Sequence, residues 1–176
     1  MKSIRNYFVN AEPWQLCLMM VAPYAVYKFT QFGHNNPYDW GVLVFYFLAV
    51  ALGWIYSIGI ESNEQLKEDF QLSSNIFSVA VIIPFVCFAI LLFFVIIPLS
   101  AGEISYPPRW AIFVNFSGII CFAYSVWFAA KQFSTVESGY QTTFIDYYPA
   151  FMSLWFGFIG VWFLQPKAQT TLGNQN

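Results

Sequence analysis

The chain has 176 residues, of which 59% are hydrophobic, 22% aromatic and only 9% charged. Seven basic and nine acidic side chains give a net charge of −2, too sparse an exterior for a water-soluble domain, where roughly 25% of residues are charged. That balance also excludes nucleic acid as a partner, because no basic stripe is present to neutralise phosphates.

Residues 1–13 read as an N-terminal tail, and 14–166 as a single helical membrane domain. Within it lie five apolar stretches, each of the length, about 17–25 helical residues, that crosses a hydrocarbon core about 30 Å thick. The first, Trp14–Phe32, carries Gln15, Pro23, Lys28 and Thr30, so it either crosses or lies in the interface. Lys2 and Arg5 ahead of it resemble the start of a signal peptide. Glu12, Pro13 and Pro23 interrupt that pattern and "APYAVY" is a poor cleavage site, so the stretch is expected to stay. Trp40–Ile60 follows the loop "GHNNPYD", with Asp39 as its expected N-cap. The third, Ile76–Leu99, is preceded by Ser73, Ser74 and Asn75 as capping candidates, and a kink is expected near Pro84. The fourth, Trp110–Ala130, starts after Pro107 and Pro108, where missing N–H groups cost nothing. The fifth, Tyr147–Leu164, has Asp146 as its expected cap and Pro166 as its expected stop, leaving 167–176 as a disordered tail. Runs such as "VAVIIPFVCFAILLFFVII" lack the alternation of a barrel strand, and backbone groups in lipid must be satisfied within the segment, so these are helices. The fold class is an all-α integral membrane bundle of five transmembrane helices, four if the first is interfacial.

Orientation rests on few charges. With five crossings and the N-terminus inside, Lys2, Arg5, Lys67 and Lys131 fall inside, against Lys28, Arg109 and Lys167 outside. The positive-inside rule then places the N-terminus in the cytoplasm and the C-terminus outside. Trp14, Trp40 and Trp110 stand at stretch starts, where amphipathic rings settle at the headgroup boundary.

Several patterns bear on function. "ESNEQLKEDF" holds the densest run of charge; Glu61, Glu64 and Glu68 share one helical face and would offer oxygens to a divalent cation. It lacks the glycine turn and the regular spacing of a calcium loop. It therefore reads as a solvated exit from lipid, with Leu66 and Phe70 turned inward. His34, the one histidine, lies five residues before Asp39 without a second histidine, a nearby cysteine or a nucleophile. Cys17, Cys87 and Cys121 sit singly in separate stretches and read as small apolar residues. Stretches two to five hold no Asp, Glu, Lys, Arg or His, which argues against a pump or ion-coupled carrier. Small residues recur at steps of four: Ala49, Gly53 and Ser57 in one stretch, Ser117, Cys121, Ser125 and Ala129 in another. Such ridges let helices approach closely and are expected to be buried against neighbouring helices, each other included.

The segments "WQLCLMM", "GWIYSIGIESNEQL", "FAAKQFSTVE", "TTFIDYY" and "LWFGFIGVWFLQPK" together resemble small multi-pass membrane proteins of a Bacteroidota type. The resemblance implies a topology and no assigned activity. Those proteins tend to carry proline where Phe158 stands, so a kink inferred from them does not carry over. Their segment matching Asn63–Asp69 tends to be basic, whereas this one is net acidic.

No catalytic, cofactor-binding or metal site is expected, and no cofactor. The function expected is that of a non-catalytic accessory or structural component of the inner membrane, whose partners are membrane lipid and other membrane proteins. The alternative is a small permease or lipid-facing enzyme built around His34, Asp39, Glu103 and Arg109.

Overall fold

The computed structural model describes the backbone of residues 2–30 and 37–173 and the side chains of 3–28 and 41–173. Every regular element among them is helical: α1 (Lys2–Asn10), α2 (Pro13–Thr30), α3 (Pro37–Gln65), α4 (Ser74–Leu91), α5 (Ile97–Ser100), α6 (Arg109–Ser138), α7 (Phe144–Trp155) and α8 (Gly160–Leu172). A 3₁₀ turn at Glu68–Phe70 precedes α4, and a π-helical turn at Leu92–Ile96 joins α4 to α5. Three spans are long and apolar enough to cross a membrane, over Gly41–Gln65, Ser74–Ser100 and Arg109–Ser138, and up to four if the bent pair α7–α8 counts as one. Helix α2, 18 residues long with Lys28 in its last turn, is not among them.

The tails depart from expectation. Residues 2–10 form α1, and α8 runs through Pro166 to Leu172 instead of stopping there. Proline removes one ladder hydrogen bond but does not end a helix whose neighbours hold it in place.

Local chemistry sets several helix ends. Pro108 precedes the first residue of α6, and Gly139, at φ +77, closes that helix in the left-handed conformation with its N–H on Thr135 O at 3.0 Å. At α7 the cap is Thr143 rather than Asp146. Asp146 lies in the first turn and reaches back to accept from Thr143 N at 2.8 Å and Thr143 Oγ1 at 2.7 Å. Helix α4 continues through Pro84, and its change of pitch comes later, ahead of Pro98. Because Pro98 has no N–H, the preceding turn widens and Ile97 N–H donates to Leu92 O, five residues back.

The largest departure is at the C-terminal apolar stretch. Tyr147–Leu164 is not one straight helix: α7 and α8 meet across residues 156–159 at 120°. A turn beyond a right angle sends α8 back towards the end from which α7 began. Two glycines permit it. Gly157 has φ +30, and a Cβ on Gly160 would lie 1.6 Å from Ser153 O. The turn satisfies much of its own backbone, with Phe156 N–H on Met152 O at 3.0 Å and Val161 N–H on Gly157 O at 2.8 Å. Its depth follows from its neighbours. Trp155 lies 5.4 Å, ring to ring, from Phe122 in the middle of α6, whereas Leu172 at the far end of α8 meets Gln65 at the end of α3.

The core lies between α3, α4 and α6, where Tyr56, Phe77 and Phe128 stack at 5.8 and 4.2 Å. Around it the bundle presents apolar side chains outward, such as Ile76, Val79 and Ile82 on α4 and Phe113, Phe116 and Ile120 on α6. Water would penalise that surface and lipid does not.

Candidate functional site

Buried polar side chains gather at one end of the bundle, where α3 and α6 finish and α1 and α8 meet. Gln165 of α8 is fully buried. Its Nε2 lies 2.9, 2.9 and 2.8 Å from the carbonyl oxygens of Phe8, Val9 and Ala11, and its Oε1 accepts from Trp54 Nε1 at 2.7 Å. One turn on, Gln169 Nε2 donates to Asn10 O and Ala11 O at 3.1 and 3.0 Å. The last carbonyls of a helix have no donor within it. Helix α1 ends inside protein, and two glutamines at i and i+4 on α8 supply the missing donors. The indole N–H of Trp54 only donates, so it fixes which way the Gln165 amide points.

A second knot closes the turn after α3. Asn63 accepts from Leu72 N at 2.9 Å and donates to Leu72 O at 3.1 Å, so one side chain pairs with the backbone on both edges. Gln132 of α6 donates to Asn63 Oδ1 and to Phe70 O. Thr135 and Thr142 share a 3.0 Å hydrogen bond at the end of α6. Two ion pairs flank these groups. Lys167 Nζ lies 3.2 Å from Glu137 Oε1, and Arg5 Nη1 donates to Glu64 Oε1 at 2.6 Å. The hydrogen bond to Glu64 raises the Arg5 pKa above its ordinary value, against the opposing effect of burial.

The charged run divides between two roles. Helix α3 ends at Gln65, so Glu68 does not share a helical face with Glu61 and Glu64. Glu64 binds Arg5, while Lys67, Glu68 and Asp69 are exposed and Leu66 and Phe70 half-buried. Among the described residues no three His, Cys, Asp or Glu side chains come together as metal ligands. His34 lies outside the described residues, as does the side chain of Asp39. Glu103 and Arg109 are exposed at the opposite end, and neither a hydrogen bond nor an ion pair joins them.

The small-residue ridges are buried only in part, and not against each other along their length. Gly53 faces the Phe8 ring of α1, 3.1 Å from where its Cβ would lie. Ser57, Ser125 and Ala129 are buried, but Ser117 is exposed. The close approaches fall to glycines off those ridges: Gly59 against Phe77 and Ala129, and Gly118 against Cys87. The sequence reading also passed over Gln165, Gln132 and Asn63. Their signal was available, because a glutamine in or beside an apolar run has no water to pair with and must find protein partners.

Comparison with protein families, with curated proteins and with solved structures gives no match.

Proposed function

We propose that this chain is a multi-pass protein of the inner membrane acting as a non-catalytic accessory or structural component, with lipid and other membrane proteins as its partners. The observation that carries this reading is how the buried polar groups are used. While the buried Arg5 Nε, Glu61 Oε2 and Ser62 Oγ at the same end have no hydrogen-bond partner, buried Gln165, Asn63, Gln132, Thr135 and Thr142 and half-buried Gln169 direct their hydrogen bonds to one another, to Trp54 or to backbone. That is how a scaffold holds itself, and it leaves those groups engaged rather than presented to a substrate. The sequences 41–60, 74–100 and 110–130 contain no Asp, Glu, Lys, Arg or His, which supports the same reading. Purification in mild detergent tests the proposal: a stoichiometric membrane partner is expected, and a protein that is isolated alone and moves a solute in liposomes overturns it.

The polar end belongs in the cytoplasm on this reading, and both termini with it. Lys2, Arg5, Lys67, Lys131 and Lys167 fall in segments at that end, against Lys28 and Arg109 elsewhere. Lys167 changes side relative to the sequence-based expectation. The support is its ion pair with Glu137, together with the contact of Gln65 Nε2 with Leu172 O at 3.5 Å. Counting α2 as a crossing beside the three apolar spans α3, α4–α5 and α6, although it falls outside that apolar set, and taking α7–α8 as a hairpin that enters and returns, brings both ends to one face. Tags at the two termini should both become accessible only after permeabilisation. Tags on opposite faces would restore an odd number of crossings.

A further inference from the structure

Asn115 carries an amide into the apolar part of α6, six residues on from Arg109 and so about 9 Å along the helix. It is exposed and, among the described residues, makes no hydrogen bond. It lines an open groove of about 350 Å³ with Leu48 of α3, Leu91 of α4, Ile119 of α6 and Trp155 of α7 among others. From Leu91 the span has nine residues, about 14 Å of helix, still to run before it ends at Ser100. On the membrane reading both measures put the amide well inside a hydrocarbon core about 30 Å thick. Neither water nor an acyl chain gives it a partner at that depth. The hairpin explains why it is bare. Helix α7 runs back along α6, from Tyr147, whose hydroxyl accepts from Trp127 Nε1 at 3.1 Å, to Trp155 beside Phe122. There the chain bends away, about two helical turns short of Asn115. A straight helix would have continued over this face.

The amide selects what covers it: a group that both donates and accepts, held at the same depth. A second asparagine amide meets that need, since each carbonyl accepts from the other's NH₂. Two copies inserted the same way, related by a two-fold axis along the membrane normal, hold Asn115 at equal depth with no further adjustment. The exposed Ile112, Phe116 and Ile119 beside it supply apolar packing around the pair. We propose that the chain forms a two-fold homodimer in the membrane through this face of α6, with Asn115 of each copy hydrogen-bonded to Asn115 of the other. The inference rests on the membrane reading and not on the accessory role, since self-association is measured with no other protein present.

The test counts copies of the full-length chain, one fluorophore at its C-terminus, by stepwise photobleaching in phosphatidylcholine liposomes over a range of protein-to-lipid ratios. Two bleaching steps should come to predominate as the ratio rises. Asn115→Leu, which leaves the surface apolar, should need about tenfold more protein to dimerise, as expected of losing two interhelical hydrogen bonds. Asn115→Gln should keep most of the association because the same groups remain. Ser117→Leu, about 200° round α6 from Asn115, should change nothing. The unfolding midpoint of each variant in detergent shows whether it is folded; if Asn115→Leu is not, Asn115→Ala replaces it. A chain that stays monomeric at every ratio overturns the proposal, and so does a dimer that Asn115→Leu leaves intact or that Ser117→Leu weakens equally. Three or more steps overturn the two-fold arrangement. If Asn115→Leu instead loses a co-purified protein while the wild type stays single in liposomes, the face belongs to a different membrane protein and the homodimer fails.

Discussion

The spans α3, α4–α5 and α6 and the hairpin α7–α8 are built from similarly apolar residues, yet they solve different problems. The three spans run on because nothing in them demands a stop. Even Pro98 is absorbed by one widened turn. The hairpin breaks after 12 residues, about 18 Å of helix, because two glycines allow a sharp turn and a glutamine beyond them has partners only on the way back. Apolarity settles whether a segment belongs in lipid. Glycine and buried amide chemistry settle whether it runs straight.

The strongest test of that difference is Gly160→Ala. A Cβ there meets Ser153 O at 1.6 Å, a clash with backbone that no rotamer relieves, so the 120° turn must open. The variant should lose its folded transition in detergent, whereas Gly53→Ala, which meets only the edge of the Phe8 ring at 3.1 Å, should keep it. Gln165→Leu comes next. It strands the Trp54 indole N–H and three carbonyls in a buried site, at about 1–3 kcal/mol for each group left unpaired, less whatever Gln169 recovers. Chemical unfolding should show a loss of about 3 kcal/mol or more. Gln165→Glu should be nearly as damaging, since it keeps the acceptor for Trp54 and loses the donors. A loss below about 1 kcal/mol would show that α1 does not depend on α8.

Overpacking the spans should cost less. Ser125→Leu, at a fully buried position on α6, should destabilise by about 1–3 kcal/mol, while Ser117→Leu on the same ridge is exposed and should be silent. Equal effects would mean the ridge packs as a unit after all. The smallest effect belongs to Lys167→Ala. Its pair with Glu137 is exposed on both sides, and such pairs contribute about 0–1 kcal/mol. Its value lies in topology: cysteines at 137 and 167 should cross-link in membranes if α8 returns, and should fail to do so if α8 continues across.

Much of the fold was legible in the chain. Trp40–Ile60, Ile76–Leu99 and Trp110–Ala130 each fall within an observed helical span, over Pro37–Gln65, Ser74–Ser100 and Arg109–Ser138. The helices run further because an apolar run does not set where a helix ends, and helical hydrogen bonding continues past it through Glu61, Glu64, Lys131 and Glu137. The charge cluster was legible as the end of an apolar helix, but Asn63 within it was not legible as the clamp on Leu72. Its partner is nine residues away, and a second bond comes from Gln132, 69 residues away.

What the sequence determined by itself is that this polypeptide folds as apolar helices with its charge at their ends. That follows from local facts, namely run length, composition and the need of each backbone amide for a partner in lipid. Where the C-terminal stretch goes was decided only by tertiary structure. Gln165 and the carbonyl of Ala11 lie 154 residues apart in sequence and 2.8 Å apart in space. No local pattern encodes that pairing, because the hydrogen-bond demand of one helix end is met by a side chain from the other end of the chain.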